Sequence, residues 1–269
     1  MNVTDWLKKN ESVVNLFERV HSIVNKKSYQ IDLNKNLVDL EHENIKANMV
    51  SLTVNYLSRY LLLKKTELKD HDCKMQAFKI AELGATSVSE LQQFNEFLND
   101  INYEIDDKVV FSALKLAEFS IAYWRNDKKY KAYEFKKPNP KTIQNIKIMV
   151  DCLVSFFEKT EYKFYNCTLL FDGAYKYMNG ITKGDTDFMS ERTLWKLVVS
   201  KERKVSKKQI AQMIIYYLLA KKSDESKGMY KNVDSLGFIN PRIGVYYLLH
   251  INDIDPDIIK NVEYKIYSR

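Results

Sequence analysis

The hydrophobic period changes partway along this chain, and that change limits what it can fold into. As far as Phe157, apolar residues return every three or four positions: Ile45, Met49, Leu52, Tyr56, Tyr60 and Leu63, then Leu91, Phe94, Leu98 and Ile101, then Val110, Leu114, Ala117, Ile121 and Trp124, then Ile143, Ile146, Val150, Leu153, Val154 and Phe157. This spacing gives each helix one apolar stripe, and such stripes bury one another in a bundle. Farther on the period becomes two. Thr193, Trp195, Leu197 and Val199 alternate with Leu194, Lys196, Val198 and Ser200, and Ile243, Val245, Tyr247, Leu249 and Ile251 alternate with Gly244, Tyr246, Leu248 and His250, as side chains do on the two faces of a strand. Helices followed by strands predict an α+β protein: a helical bundle over residues 1–140, then an α/β domain with a mixed central sheet over residues 141–269.

Local punctuation refines this division. Gly84 is expected to end one helix and Ser87 or Ser89 to cap the next. The lysine-rich stretch Asn126 to Pro140, with Pro138 and Pro140 around Asn139, is the expected linker. Lys163 to Met178 predicts a first strand or hairpin, with Leu169, Leu170 and Phe171 as its apolar run and Asp172-Gly173 as a turn. Leu236 to Ile251 predicts two strands around the Asn240-Pro241 turn, and Asp255-Pro256-Asp257 the start of a last helix.

Between these signals lies the segment that carries chemistry. Gly184-Asp185-Thr186-Asp187-Phe188 puts an acid at the end of an extended segment, Thr193 to Ser200 is the next strand, and Gln212 and Tyr216 sit one turn apart on the following helix. This order resembles the PD-(D/E)XK nuclease superfamily, in particular its RecB-like branch, over roughly residues 141–269. The resemblance implies a restriction-endonuclease-like fold with Asp187 as the first-strand acid, Asp185 beside it, and Gln212 and Tyr216 next to the reaction centre. It also makes Glu158, at the end of the preceding helix, a further candidate acid. Residues 1–140 show no motif of a known family.

The second strand departs from the family pattern. An active enzyme presents a carboxylate and then a lysine on one face of that strand, holding Mg²⁺ and steadying the developing charge. Here those places hold Lys196 and Val198. Two like unit charges ~4 Å apart repel by about 4 kcal/mol at an effective dielectric near 20, so Lys196 opposes a cation where the family binds one. Relocated ligands are the route to rescue: Asp185, Glu191 and Glu202 as acids, and Lys201, Lys207 or Lys208 as the base. The expected centre is therefore residual, with no metal ligand set and no cofactor, Mg²⁺ entering only if such relocation rebuilds the site.

Charge adds a direction. The net charge of +7 is almost all carried by residues 141–269, which hold 21 basic against 15 acidic side chains, whereas residues 1–140 hold 21 against 20. Lys201, Arg203, Lys204, Lys207 and Lys208 cluster directly after the degenerate strand and are the expected contacts to a DNA or RNA backbone. The 18 tyrosines, several beside lysines at 130–137 and 162–177, add stacking surface.

Other classes are excluded by what is missing. Cys73, Cys152 and Cys167 are too few and too dispersed for a disulfide framework or a cysteine zinc site, and the four histidines form no cluster. Seven glycines leave little material for a phosphate loop. No apolar run spans a membrane and no leader-like stretch follows Met1 to Lys9, so a cytoplasmic protein without membrane attachment is expected. The first functional expectation is a nucleic-acid-associated protein, impaired as a nuclease, acting in phage defence, counter-defence or mobile-element biology. The alternatives are a protein-interaction factor that regulates a partner enzyme through its helical half, and an active Mg²⁺-dependent nuclease with relocated ligands.

Overall fold

The computed structural model describes residues 1–31, 42–125, 136–224 and 228–267, and its architecture is α+β. Most of the expected linker, residues 126–135, lies outside the described residues. The chain divides into two compact units, one of Met1–Ile31 with Glu161–Arg269 and one of Asp32–Thr160. This partition differs from a division at residue 140 at both ends. The first residues belong with the sheet, and the helix before Glu161 belongs with the bundle.

Three short helices, α1 (Val3–Lys9), α2 (Glu11–Asn15) and α3 (Glu18–Lys26), open the chain and lead into a two-residue strand, β1 (Tyr29–Gln30). The bundle unit then runs through α4 (Ala47–Leu63), α5 (Asp70–Ala77), α6 (Lys79–Gly84), α7 (Val88–Asp100), α8 (Asp107–Arg125) and α9 (Pro140–Lys159). Its helices start where capping chemistry allows. Ser87 Oγ accepts from the Glu90 amide while Glu90 Oε2 accepts from the Ser87 amide, a reciprocal pair that satisfies two otherwise orphaned donors. Asn139 Oδ1 does the same for the Thr142 amide, and Pro140 occupies the first turn of α9. α4 is the centre of this unit and packs against α5, α8 and α9. It is buried on nearly all sides, Arg59 included.

The other unit holds a six-stranded sheet. Its remaining elements are β2 (Phe164–Leu169), β3 (Thr186–Ser190), β4 (Thr193–Leu197), α10 (Lys207–Lys222), β5 (Ser235–Asn240), β6 (Val245–His250) and α11 (Pro256–Tyr267). The spatial order is β1-β6-β5-β4-β3-β2, with β4 and β5 parallel and every other pair antiparallel. Parallel neighbours need a crossover that passes over the sheet, and α10 is that crossover. Lys163 to Met178 forms one strand rather than a hairpin: after Asp172, Gly173 takes φ 77° and the chain enters a 3-10 turn at Ala174–Tyr177.

Alternation sorts the sheet into two faces. On one, Met189, Leu194, Val198, Leu236, Phe238 and Val245 join Ile210, Met213 and Ile214 of α10 and Val3, Trp6, Leu7, Val13 and Phe17 of the opening helices in a single core. α10 thus lies between the strands and α1–α3, which is why it is buried around most of its surface, from Ile210 and Ala211 through Met213, Ile214, Ile215 and Tyr216 to Leu218, Leu219 and Ala220. On the opposite face Trp195 is fully buried beside the rings of Tyr162 and Tyr246. Gly237, its partner on β5, leaves the space for that indole, because a Cβ there would lie 2.1 Å from Trp195 Cε3. Gly237→Ala is therefore expected to lower stability by about 1–3 kcal/mol through overpacking, read as a lower urea midpoint. An unchanged midpoint would show that the indole has room to move.

Candidate functional site

The segment Gly184 to Asp187 reaches its place through two contacts of its backbone. Tyr175, in the 3-10 turn, puts its hydroxyl 2.6 Å from the Leu170 carbonyl and 2.9 Å from the Gly184 carbonyl. Gly184 itself lies against α10, where a Cβ would come within 3.0 Å of Tyr216 Cε1 and 3.2 Å of Leu219 Cδ1. A residue without a side chain eases this close approach of the segment before β3 to the helix. β3 then begins at Thr186, so Asp187 stands near the start of its strand, and not at the end of an extended segment.

At this end of the hairpin, side chains take over the bonds between strands. Backbone register pairs Phe188 with Trp195 and Met189 with Leu194. One step back, Thr186 Oγ1 donates to the Trp195 carbonyl at 2.9 Å, and Asp187 Oδ2 accepts from the Leu197 amide at 2.8 Å. The same carboxylate oxygen lies 3.8 Å from Lys196 Nζ, both side chains being less than one-fifth exposed. Asp187 is thus committed to a backbone donor and an ammonium at once. Val198 shares the Lys196 face but is 6% exposed within the apolar core, and its amide donates to the Ile239 carbonyl of β5.

α10 supplies the other wall. Gln212 Nε2 donates to Tyr216 Oη at 2.7 Å and to Thr4 Oγ1 of α1 at 3.0 Å. Burial, and then the negative charges of Asp185 and Asp187, push the Tyr216 phenol well above its ordinary range. The phenol therefore stays protonated at neutral pH and serves as a hydrogen-bonding group, not as a base. Asp185, Asp187, Lys196, Gln212 and Tyr216 lie near one another at this end of the sheet. Thr4 and Tyr175 complete the group, and neither is signalled by the sequence, Thr4 being 208 positions from Gln212.

Of the acids and lysines that relocation could use, Asp185 stays at the centre and the others are placed or engaged as follows. Glu191 is exposed in the β3–β4 turn, at the far end of β3 from Asp187, and Glu202 is exposed after β4. Glu158 belongs to the bundle unit and pairs with Lys65. Lys207 pairs with Glu18, and the charge of Lys208 acts on Asp5. Lys201, Arg203 and Lys204 are exposed in the loop before α10, and that loop is fixed by bonds to its backbone: Tyr247 Oη donates to the Arg203 carbonyl at 2.7 Å and the Val205 amide to Asn25 Oδ1 at 2.8 Å.

These residues do not fit a divalent cation. Among the described residues no group of three or more His, Cys, Asp or Glu side chains is placed to hold a metal ion, and a cation at Asp187 would meet the ammonium of Lys196, 3.8 Å from its carboxylate. No protein-family model matches the chain. Comparison with curated proteins returns no match, and comparison with solved structures returns none either.

The ion pair yields a direct test. In Lys196→Glu the introduced carboxylate faces Asp187, so the metal-free variant is expected to melt below the wild type and to recover on addition of excess Mn²⁺, by the linkage of binding to folding. The wild type is expected to ignore the metal. A wild-type melting temperature that rises with Mn²⁺ as much as that of the variant would contradict this assignment.

Proposed function

We propose that this chain is a nucleic-acid-associated protein built on a nuclease-like core that no longer supports metal-dependent cleavage. The observation that carries the reading is the Asp187–Lys196 pair, in which an ammonium answers the strand acid where a PD-(D/E)XK centre needs a second carboxylate. The surrounding order supports the comparison: an acid on β3, the next strand beside it, a helix bearing Gln212 and Tyr216, then a strand parallel to β4.

The loop after β4 supports the association with nucleic acid. Lys201, Arg203 and Lys204 project from a backbone held by Asn25 and Tyr247, so three cations are offered without ordering a free loop on binding. Phosphate contacts of this kind carry affinity without sequence preference, and each one releases counterions. The engagement of Lys207 with Glu18 and the distance of Glu191 along β3 weigh against an active enzyme with relocated ligands.

Incubation with single- and double-stranded DNA and with RNA, each with Mg²⁺ or Mn²⁺, is expected to give a salt-sensitive mobility shift and no cleavage. Replacing Lys201, Arg203 and Lys204 by Gln should weaken binding on every sequence and reduce the slope of log K against log salt by roughly 2–3. Cleavage that disappears in Asp187→Ala would overturn the reading in favour of an active nuclease. Absence of any shift would remove the association itself.

A further inference from the structure

A second basic and aromatic cluster lies at the opposite end of α10 from the 201–204 loop. Lys176 and Tyr177 of the 3-10 turn, Lys222 at the end of α10 and Tyr267 at the end of α11 line a cleft of about 330 Å³, a volume at the lower end of the range for small-ligand sites. The four side chains are ordered as two cation–aromatic pairs. Lys176 Nζ stands 5.1 Å from the centre of the Tyr177 ring, and Lys222 Nζ 5.4 Å from that of Tyr267. Tyr267 is anchored, its hydroxyl donating to the Leu218 carbonyl at 3.3 Å, whereas Tyr177 is 50% exposed.

Two acids temper the charge. Asp224 lies 3.5 Å from Lys176, and the charge of Glu263 acts on Tyr267. Asp224 is itself held in place, since its amide donates to the Asp172 carbonyl and its carboxylate fills the space beside Gly173. The Lys176–Asp224 pair is more than half exposed on both sides, and exchanging such a pair for a phosphate costs little.

We propose that this cleft binds one nucleotide unit, with its phosphate between Lys176 and Lys222 and its base stacked on Tyr177. An acidic peptide would satisfy the lysines but leave the exposed ring unused, and a neutral sugar would leave the lysines unused. A base with its phosphate uses both, through ring stacking and charge. The base must be unpaired to stack, so the occupant is a single strand or a free nucleotide, not a duplex. The choice of ligand rests on the nucleic-acid reading above, but the site does not depend on the Asp187 centre. Tyr175 links the two places: its hydroxyl meets the Gly184 carbonyl, and the cleft begins at the next residue.

The test is fluorescence anisotropy of the full chain with a labelled oligothymidylate at fixed salt, with thymidine monophosphate as competitor and a melting curve for every variant. Tyr177→Ala is expected to weaken oligonucleotide binding roughly tenfold, the scale of one stacked base, and Tyr177→Phe to bind as the wild type does. Lys176→Gln and Lys222→Gln should each weaken binding and flatten its salt dependence. If Tyr177→Ala binds as tightly as the wild type, the cleft is not the site, even where replacement of Lys201, Arg203 and Lys204 abolishes binding and the wider reading stands. If thymidine monophosphate binds in a Tyr177-dependent way but no strand does, the cleft holds a free nucleotide and the strand-binding function falls. If the wild type binds neither probe, both fail together.

Discussion

Because β4 and β5 run parallel, the chain between them must cross the sheet, and the burial of that crossing organises everything around it. α10 presents Leu194, Val198, Leu236 and Phe238 with its own Ile210, Met213 and Ile214 on one side, and receives Val3, Trp6 and Phe17 on the other. A helix covered on both sides tolerates polar groups only where they are satisfied. Gln212 and Tyr216 meet this condition by bonding to each other and to Thr4. The same crossing that closes the core therefore sets the polar wall opposite Asp185 and Asp187.

In the proposed reading, the electrostatics of the centre serve structure rather than catalysis. A nuclease keeps its carboxylates underused until a cation arrives, so that the charge does work on the scissile phosphate. Asp187 instead spends one oxygen on the Leu197 amide and on Lys196, joining β3 to β4 where their backbone ladder has ended. Tyr216, whose phenol is held above its ordinary range by burial and by Asp185 and Asp187, acts beside it as a hydrogen-bonding group. The basic 201–204 loop is held by other contacts, from Tyr247 to the Arg203 carbonyl and from the Val205 amide to Asn25.

Much of this was legible in the residues, for reasons that can be located. The alternation through Thr193 to Val199 placed Lys196 and Val198 on one face, and the core confirms that face through Leu194 and Val198. Ser87, Asn240-Pro241 and Asp255-Pro256 marked their boundaries because capping and turn chemistry are local. What was hidden depends on partners distant in the chain. The apolar residues of α1–α3 announce burial but not against what, so their place beside α10 could not be read from them. Glu158 lies one residue before the end of α9, and its pairing with Lys65 in the bundle follows from packing rather than from spacing. The Lys176, Tyr177, Lys222 and Tyr267 cleft gathers three separate elements, and only the Lys176–Tyr177 pair was visible as neighbours.

The claim at the centre is that the Asp187 carboxylate is held by Lys196 and the Leu197 amide and is closed to divalent cations. Amide NMR spectra recorded while Mn²⁺ is added measure this directly, since a paramagnetic ion broadens the resonances nearest to it. The account predicts that Asp187, Leu197 and Gln212 keep their intensities relative to amides elsewhere in the same unit. Selective loss of those three signals at low Mn²⁺ would place a metal at the centre and contradict it.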